Sequence, residues 1–285
     1  MTSPLKNFNN LTQRIITGLL GSALIIFGIV YSEWAYFAIF FFICIASIWE
    51  FYGLTGLDGM IPQKTFGTIC GMIIFCLSFF IEQGSISDKY YFLIFPLFSC
   101  VYLIKLYKFE RKPFTNIAFT FLGILYVAIP FSVLNIAVFE NGYYENGYHV
   151  NGYYNYEIMV GCLFILWASD TGAYFAGTRF GKRKLFERIS PKKSWEGAIG
   201  GALLAFFFAF VIAYYFHTLA VWQWMCVTVI IIVGGIFGDL VESLLKRSIE
   251  IKDSGDSLPG HGGFLDRFDG LLISAPFIVA FLEIF

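Results

Sequence analysis

Between Gly238 and Asp269 the chain gathers side chains able to handle phosphate and a metal ion. Asp239, Glu242, Ser243, Lys246 and Arg247 come first, followed by Lys252 and Asp253. A glycine-rich run through His261 leads on to Asp266, Arg267 and Asp269. Carboxylates are hard oxygen ligands that suit Mg²⁺, an ion that keeps several waters and often completes its shell with substrate phosphates. Lysine and arginine supply counter-charge and directed N–H donors for a polyanion. Asp239, Glu242, Ser243 and Lys246 have the i, i+3, i+4, i+7 spacing of one helix face. Asp266 and Asp269 are one turn apart if their stretch is helical. Glycine at 260, 262 and 263 would let the backbone come close to a ligand. His261 could instead ligate zinc, but no second His or Cys set accompanies it. A merely salt-bridged loop does not account for such density in a chain only 14% charged.

Two other segments carry chemistry. Asp170 lies deep in an apolar run, in Trp167-Ala168-Ser169-Asp170-Thr171-Gly172. An unpaired carboxylate there is costly, so it must face a polar cavity, a cation or a donor on a neighbouring helix. Gly172 and Gly177 suit close helix packing. Next comes a cationic loop, Lys182-Arg183-Lys184 and then Ser190-Pro191-Lys192-Lys193-Ser194-Trp195-Glu196-Gly197. It enters a helix near Ser194 or Trp195, and its serines, lysines and free N–H groups resemble an anion-binding helix start. The plainer reading is that these charges only set topology and touch lipid headgroups.

The elements that must position these groups are membrane helices. Hydrophobic residues make up 58% of the chain and aromatics 20%, more apolar surface than a soluble protein of this length could hide. Nine spans are predicted, roughly at 15–32, 34–52, 66–82, 90–107, 117–139, 158–178, 197–216, 221–245 and 270–285. All should be helical, since backbone in lipid must satisfy its own hydrogen bonds. The expected fold is therefore an all-α, polytopic integral membrane protein. With the N-terminus cytoplasmic and the C-terminus outside, eighteen of the nineteen basic residues fall inside and only Lys89 falls outside, as the positive-inside rule requires. The first span lacks a small-residue cleavage pattern before Tyr31-Ser32-Glu33-Trp34, so removal as a signal peptide is not expected. Six cysteines, all within spans and none in a Cys-x-x-Cys pair, read as packing residues.

The chain divides into a scaffold at 1–139 with five spans, a non-cytoplasmic loop at 140–157, and a working half at 158–285 with four spans. The loop repeats Asn-Gly-Tyr three times, which favours tight turns. It reads as a tolerated low-complexity segment, with His149 a solvated residue. Asn10-Leu11-Thr12 fits a glycosylation acceptor but falls on the cytoplasmic side.

The stretch Ser243-x-x-Lys246-Arg247-x₄-Lys252-Asp253-x-Gly255-x₂-Leu258-Pro259-x-His261-Gly262-Gly263-Phe264-x-Asp266-Arg267-Phe268-Asp269 resembles the diagnostic pattern of phosphatidate cytidylyltransferases, with no departure from it. The segments around Asp170 and from Ser190 to Gly197 resemble the same family. The resemblance implies that CTP and phosphatidic acid yield CDP-diacylglycerol and pyrophosphate, with Mg²⁺ and a second cation such as K⁺. It assigns a catalytic set of Asp239, Ser243, Lys246, Arg247, Asp266 and Asp269. Asp266, Asp239 and Asp269 are the metal ligands, with Asp170 a weaker candidate for that role. Asp170, Ser190, Lys192, Lys193, Ser194, His261 and Arg267 form the substrate-binding set. Expected partners are CTP, phosphatidic acid and membrane lipids, with a homodimer left open and no nucleic acid. The implied location is a bacterial plasma membrane with the site facing the cytoplasm.

Three other readings compete. A CTP-dependent polyprenol or phytol kinase would share the nucleotide and setting. A CDP-alcohol phosphotransferase would need Asp-Gly-x₂-Ala-Arg, whereas Asp269-Gly270 is followed by Leu-Leu-Ile-Ser. A transporter could use Asp170 and Asp239 for coupling ions, but would not explain phosphate-type residues gathered on one membrane face.

Overall fold

Long apolar runs with few breakers become helices, since in lipid the helix alone satisfies each segment's backbone internally. The computed structural model describes residues 10–57, 59, 61–140, 144–145, 148–149, 152–251 and 262–285. The helices are α1 (Asn10–Tyr31), α2 (Glu33–Leu57), α3 (Lys64–Glu82), α4 (Ile94–Leu106, entered through a 3₁₀ turn at Asp88–Leu93), α5 (Pro113–Gly123), α6 (Ile129–Val138), α7 (Glu157–Phe180), α8 (Trp195–Tyr215), α9 (Val221–Ser248) and α10 (Leu265–Ile284). A wider π turn, Ile124–Ala128, joins α5 to α6, so the fifth apolar run is one continuous rod. Pro130, just after the widened turn, has no N–H to return to the Tyr126 carbonyl.

Among the described residues seven helical segments are long and apolar enough to cross a membrane: Glu33–Gly56, Lys64–Glu82, Asp88–Leu106, Pro113–Val138, Glu157–Phe180, Trp195–Tyr215 and Val221–Ser248. The all-α, polytopic expectation holds at this level. Helix α10 is apolar only beyond its first five residues, which include Asp266, Arg267 and Asp269. The outward faces are apolar too: Phe92, Phe95, Phe207 and Phe210 are each more than 60% exposed, as expected where lipid is the solvent.

Inside, buried polar bonds tie the first helices together. Tyr36 donates to Asn135 Oδ1 at 3.0 Å, Tyr52 to the Thr120 carbonyl at 2.6 Å and Ser78 to the Ser132 carbonyl at 2.6 Å. In the second half α7 and α8 make the most extensive helix–helix contact among the described residues. Gly172 permits it, since a Cβ there would stand 2.6 Å from the Gly200 carbonyl oxygen. The small residues around Asp170 thus serve packing, as their spacing suggested. Helix α10 packs against α9, and also against α6 and α2 of the first half.

Three short antiparallel pairs interrupt the helices. Strands β1 (Phe139–Glu140) and β4 (Tyr153–Tyr154) pair, and β2 (Tyr144–Glu145) pairs with β3 (Tyr148–His149). These frame the Asn-Gly-Tyr segment; Asn146 and Gly147 themselves lie outside the described residues. The third pair, β5 (Lys184–Phe186) and β6 (Ser190–Ser194), folds the cationic segment into a hairpin where a plain loop is expected. All six cysteines are free thiols.

Candidate active site

The ends of four helices meet around one cavity of about 530 Å³. Helix α7 contributes Ser169, Asp170 and Gly177, the β5–β6 hairpin Ser190, Lys192, Lys193 and Ser194, α9 Asp239, and α10 Asp266, Arg267 and Asp269. Three segments far apart in sequence, each singled out by its residue types, therefore line one space.

Local folding explains how they are held. Ser194 caps α8, its Oγ accepting from Gly197 N–H at 3.2 Å, the usual role of serine before a first helical turn. In the same turn Glu196 accepts from the Lys182 N–H at 3.0 Å and the Arg183 N–H at 3.1 Å. The Trp195 N–H donates back to the Arg183 carbonyl at 2.9 Å. The hairpin is thus pinned to the start of α8 with Lys192 and Lys193 along the cavity.

Two charge pairs organise the wall. Lys193 Nζ lies 2.5 Å from Asp239 Oδ2 and 3.3 Å from the Ile236 carbonyl. Ser243 donates to Asp239 Oδ1 at 3.4 Å. Behind them, Lys246 Nζ bonds Asp266 Oδ1 at 2.7 Å and lies 3.3 Å from Glu242 Oε1. Asp266 Oδ2 accepts from the Gly263 N–H at 2.9 Å, and Asp269 Oδ1 from the Gly270 N–H at 2.7 Å. Asp170, the deep carboxylate, has Lys193, Asp239 and Arg267 as its charged neighbours. It opens on the cavity, as its cost in lipid demands.

The expected residues separate into layers. Asp170, Ser190, Lys192, Lys193, Ser194, Asp239, Asp266, Arg267 and Asp269 line the cavity. Ser243 and Lys246 stand behind it, touching Asp239 and Asp266 respectively. The face drawn through Asp239, Glu242, Ser243 and Lys246 divides in two, because Glu242 turns inward, 1% exposed, to Lys246. Arg247 is exposed, with Nη1 3.5 Å from the Ile251 carbonyl, and is not among the cavity residues. His261 lies outside the described residues, as do Lys252, Asp253 and Gly260.

Sequence reasoning missed Glu50 and Tyr126. Glu50 of α2 accepts from the Leu265 N–H at 3.0 Å. The Tyr126 hydroxyl is buried without a hydrogen-bond partner among the described residues, in electrostatic reach of Asp269, Glu242 and Asp239. The only signal for Glu50 was a lone carboxylate in an apolar run. For Tyr126 there was none, since a tyrosine among seventeen does not stand out.

The other basic loop, between α4 and α5, has a different character. Lys105 Nζ bonds Glu110 Oε2 at 2.5 Å and the Ile61 carbonyl at 3.0 Å, and Asn116 donates to Glu110 at 2.6 Å. Burial pushes the Glu110 carboxyl up, but the bonds from Lys105 and Asn116 outweigh it and leave it below the usual carboxylate range. There the buried lysine is paired next to the loop itself, whereas the hairpin turns Lys192 and Lys193 to a cavity.

The chain is similar to known proteins. A family model described as "Cytidylyltransferase family" matches residues 12–285. A phosphatidate cytidylyltransferase of Haemophilus influenzae is 40% identical over 129 residues, 44% of this chain and 45% of that protein. One of Bacillus subtilis is 44% identical over 133 residues, 45% of this chain and 48% of that protein. One of Staphylococcus aureus is 45% identical over 115 residues, 40% of this chain and 44% of that protein. The chain thus spans about half the length of the curated relatives it matches.

Proposed function

This chain belongs to the cytidylyltransferase family, and on that premise we propose that it transfers the cytidylyl group of CTP to phosphatidic acid, giving CDP-diacylglycerol and pyrophosphate. The observation that carries the proposal is the single cavity shared by Asp170, the Lys192–Lys193 hairpin, Asp239 and the Asp266–Asp269 turn. An oxygen of the lipid phosphomonoester attacks the α-phosphorus of CTP. The bond from that phosphorus to the bridging oxygen breaks, and pyrophosphate leaves with the electron pair. The lipid phosphate is its own nucleophile, so the protein need only align the two polyanions and screen their repulsion.

Lys192, Lys193 and Arg267 supply positive charge at the cavity, and Ser190 a hydroxyl for a phosphate oxygen. Lys246 holds Asp266 in place from behind. Among the described residues no three His, Cys, Asp or Glu side chains form a ready metal cage. Mg²⁺ takes one or two protein carboxylates and fills the rest of its shell with water and phosphate oxygens. Asp239, Asp266 and Asp269, with Asp170, are the hard-oxygen donors that would hold it. When bound, such an ion neutralises charge on the transferred and departing phosphates. A second cation such as K⁺ would belong to the same chemistry.

The assay is incorporation of labelled CTP into lipid by the purified protein, with and without phosphatidic acid and Mg²⁺. CDP-diacylglycerol, needing both additions, is the expected product on thin-layer analysis. A phosphorylated polyprenol, or label that never enters lipid, would sink the proposal.

The topology belongs to the same reading: nine crossings, N-terminus cytoplasmic, and the site at the cytoplasmic face of a bacterial plasma membrane. The ends of α2, α4, α7 and α9 and the starts of α3, α5, α8 and α10 then share the side that carries eighteen of nineteen basic residues. Single cysteines at Glu145 and Glu187 in a background free of other cysteines are expected to react with an impermeant reagent from opposite faces. Labelling of both from one face would refute the arrangement.

A further inference from the structure

Helix α10 begins without help from its own cap residue. Phe264 precedes it and offers no side-chain acceptor, although the first N–H groups of any helix need partners. The acceptor comes from 215 residues away in sequence, as Glu50 Oε2 takes the Leu265 N–H at 3.0 Å. Asp266 Oδ2 takes the preceding Gly263 N–H at 2.9 Å, so two carboxylates hold the two sides of one turn. The turn is shaped for this, since a Cβ at Gly263 would stand 2.9 Å from the Glu50 carboxyl carbon. A negative charge beside a helix N-terminus is also favoured by the helix dipole. Glu50 Oε1 is buried and has no hydrogen-bond partner among the described residues. Packing alone would be served as well by an apolar side chain, and a buried polar oxygen left unpaired is held at a cost.

We infer that Glu50 is a positioning residue of the active site: by fixing the Gly263–Leu265 turn it sets where Asp266 stands in the cavity. The first half of the chain is then part of the catalytic apparatus and not a passive scaffold. The inference rests on the cavity being the active site proposed above.

The test pairs amide hydrogen exchange with kinetics on the full-length protein in detergent. Glu50→Ala is expected to speed exchange across residues 263–266 by about tenfold or more. It should lower kcat per folded molecule by about tenfold or more, while the KM for CTP changes less than twofold, because a displaced acid costs reactivity more than nucleotide binding. Glu50→Gln, whose amide oxygen can still accept from Leu265 N–H, should keep most of both properties. Should Glu50→Ala fail to fold, Gly263→Ala drives a methyl onto the same carboxylate and carries the same expectations. Unchanged exchange overturns the inference, as does faster exchange with unchanged kcat, or a glutamine variant as damaged as the alanine one. If the wild-type protein makes no CDP-diacylglycerol, the proposed function falls, while the exchange comparison still judges the Glu50 contact.

Discussion

Asp266→Asn is expected to reduce turnover by about a hundredfold to a thousandfold, the scale at which removal of one preorganised charge-stabilising group acts. The carboxylate bonds Lys246 at 2.7 Å and accepts from the Gly263 N–H at 2.9 Å. An asparagine amide can accept on one side only and points its NH₂ at the donor on the other. The site then loses a negative oxygen and the register of the α10 turn together. Folding should survive, because Lys246 keeps Glu242 as a partner at 3.3 Å and no charge is stranded. Breaking a buried pair outright would cost about 3–5 kcal/mol, and the remaining Glu242 contact keeps the expected loss well below that. Turnover per folded molecule, measured across a wide Mg²⁺ range, is the test. Activity near wild type at ordinary Mg²⁺ would remove Asp266 from the reaction.

The second large effect is expected at Lys193. Its ammonium contacts Asp239 at 2.5 Å, yet its side chain remains 27% exposed, so it is held by the protein and still open to a ligand. Lys193→Ala removes a cation from a wall that must receive a polyphosphate, and leaves Asp239 to repel that ligand. A lost hydrogen bond to a charged partner costs about 1.5–3 kcal/mol, and the unopposed carboxylate adds to it. Turnover should fall by about a hundredfold, with the KM for CTP raised. Lys108→Ala, in the exposed loop after α4 and away from the cavity, removes the same formal charge on the same proposed side and should leave turnover near wild type. Equal losses in both variants, traced to less inserted protein, would mean that the hairpin lysines only set topology.

Comparing these two residues indicates what a linear reading can reach. Asp266 was legible because a carboxylate between glycines and ahead of an apolar run has few structural uses. Lys193 was legible as one of a cationic group, but nothing in Ser-Pro-Lys-Lys-Ser said that it would meet Asp239 on α9 and not a lipid headgroup. Spacing placed Asp239, Glu242, Ser243 and Lys246 on one face, and the folded helix divides it. Asp239 looks into the cavity while Glu242 is buried against Lys246, because α10 packs on that flank of α9. Arg247, the neighbour of Lys246 and equally basic, is exposed at the helix end.

The sequence by itself determined the solvent, the element type and the chemistry of the parts. Runs of apolar residues near bilayer length can only be helices in lipid, and carboxylates, lysines and serines between them mark where phosphate could be handled. It could not determine which parts meet. The tertiary structure brings Asp170, Lys193, Asp239 and Asp266 around one cavity and lets Glu50 of α2 cap α10. It also sets the Tyr126 hydroxyl near the acids through a π turn. Those relations depend on how rods pack side by side, and in lipid that is decided by close contact between small residues and by interhelical polar bonds. A glutamate and a turn 215 residues apart become partners only when two helices share a boundary, and no local pattern in either one records that.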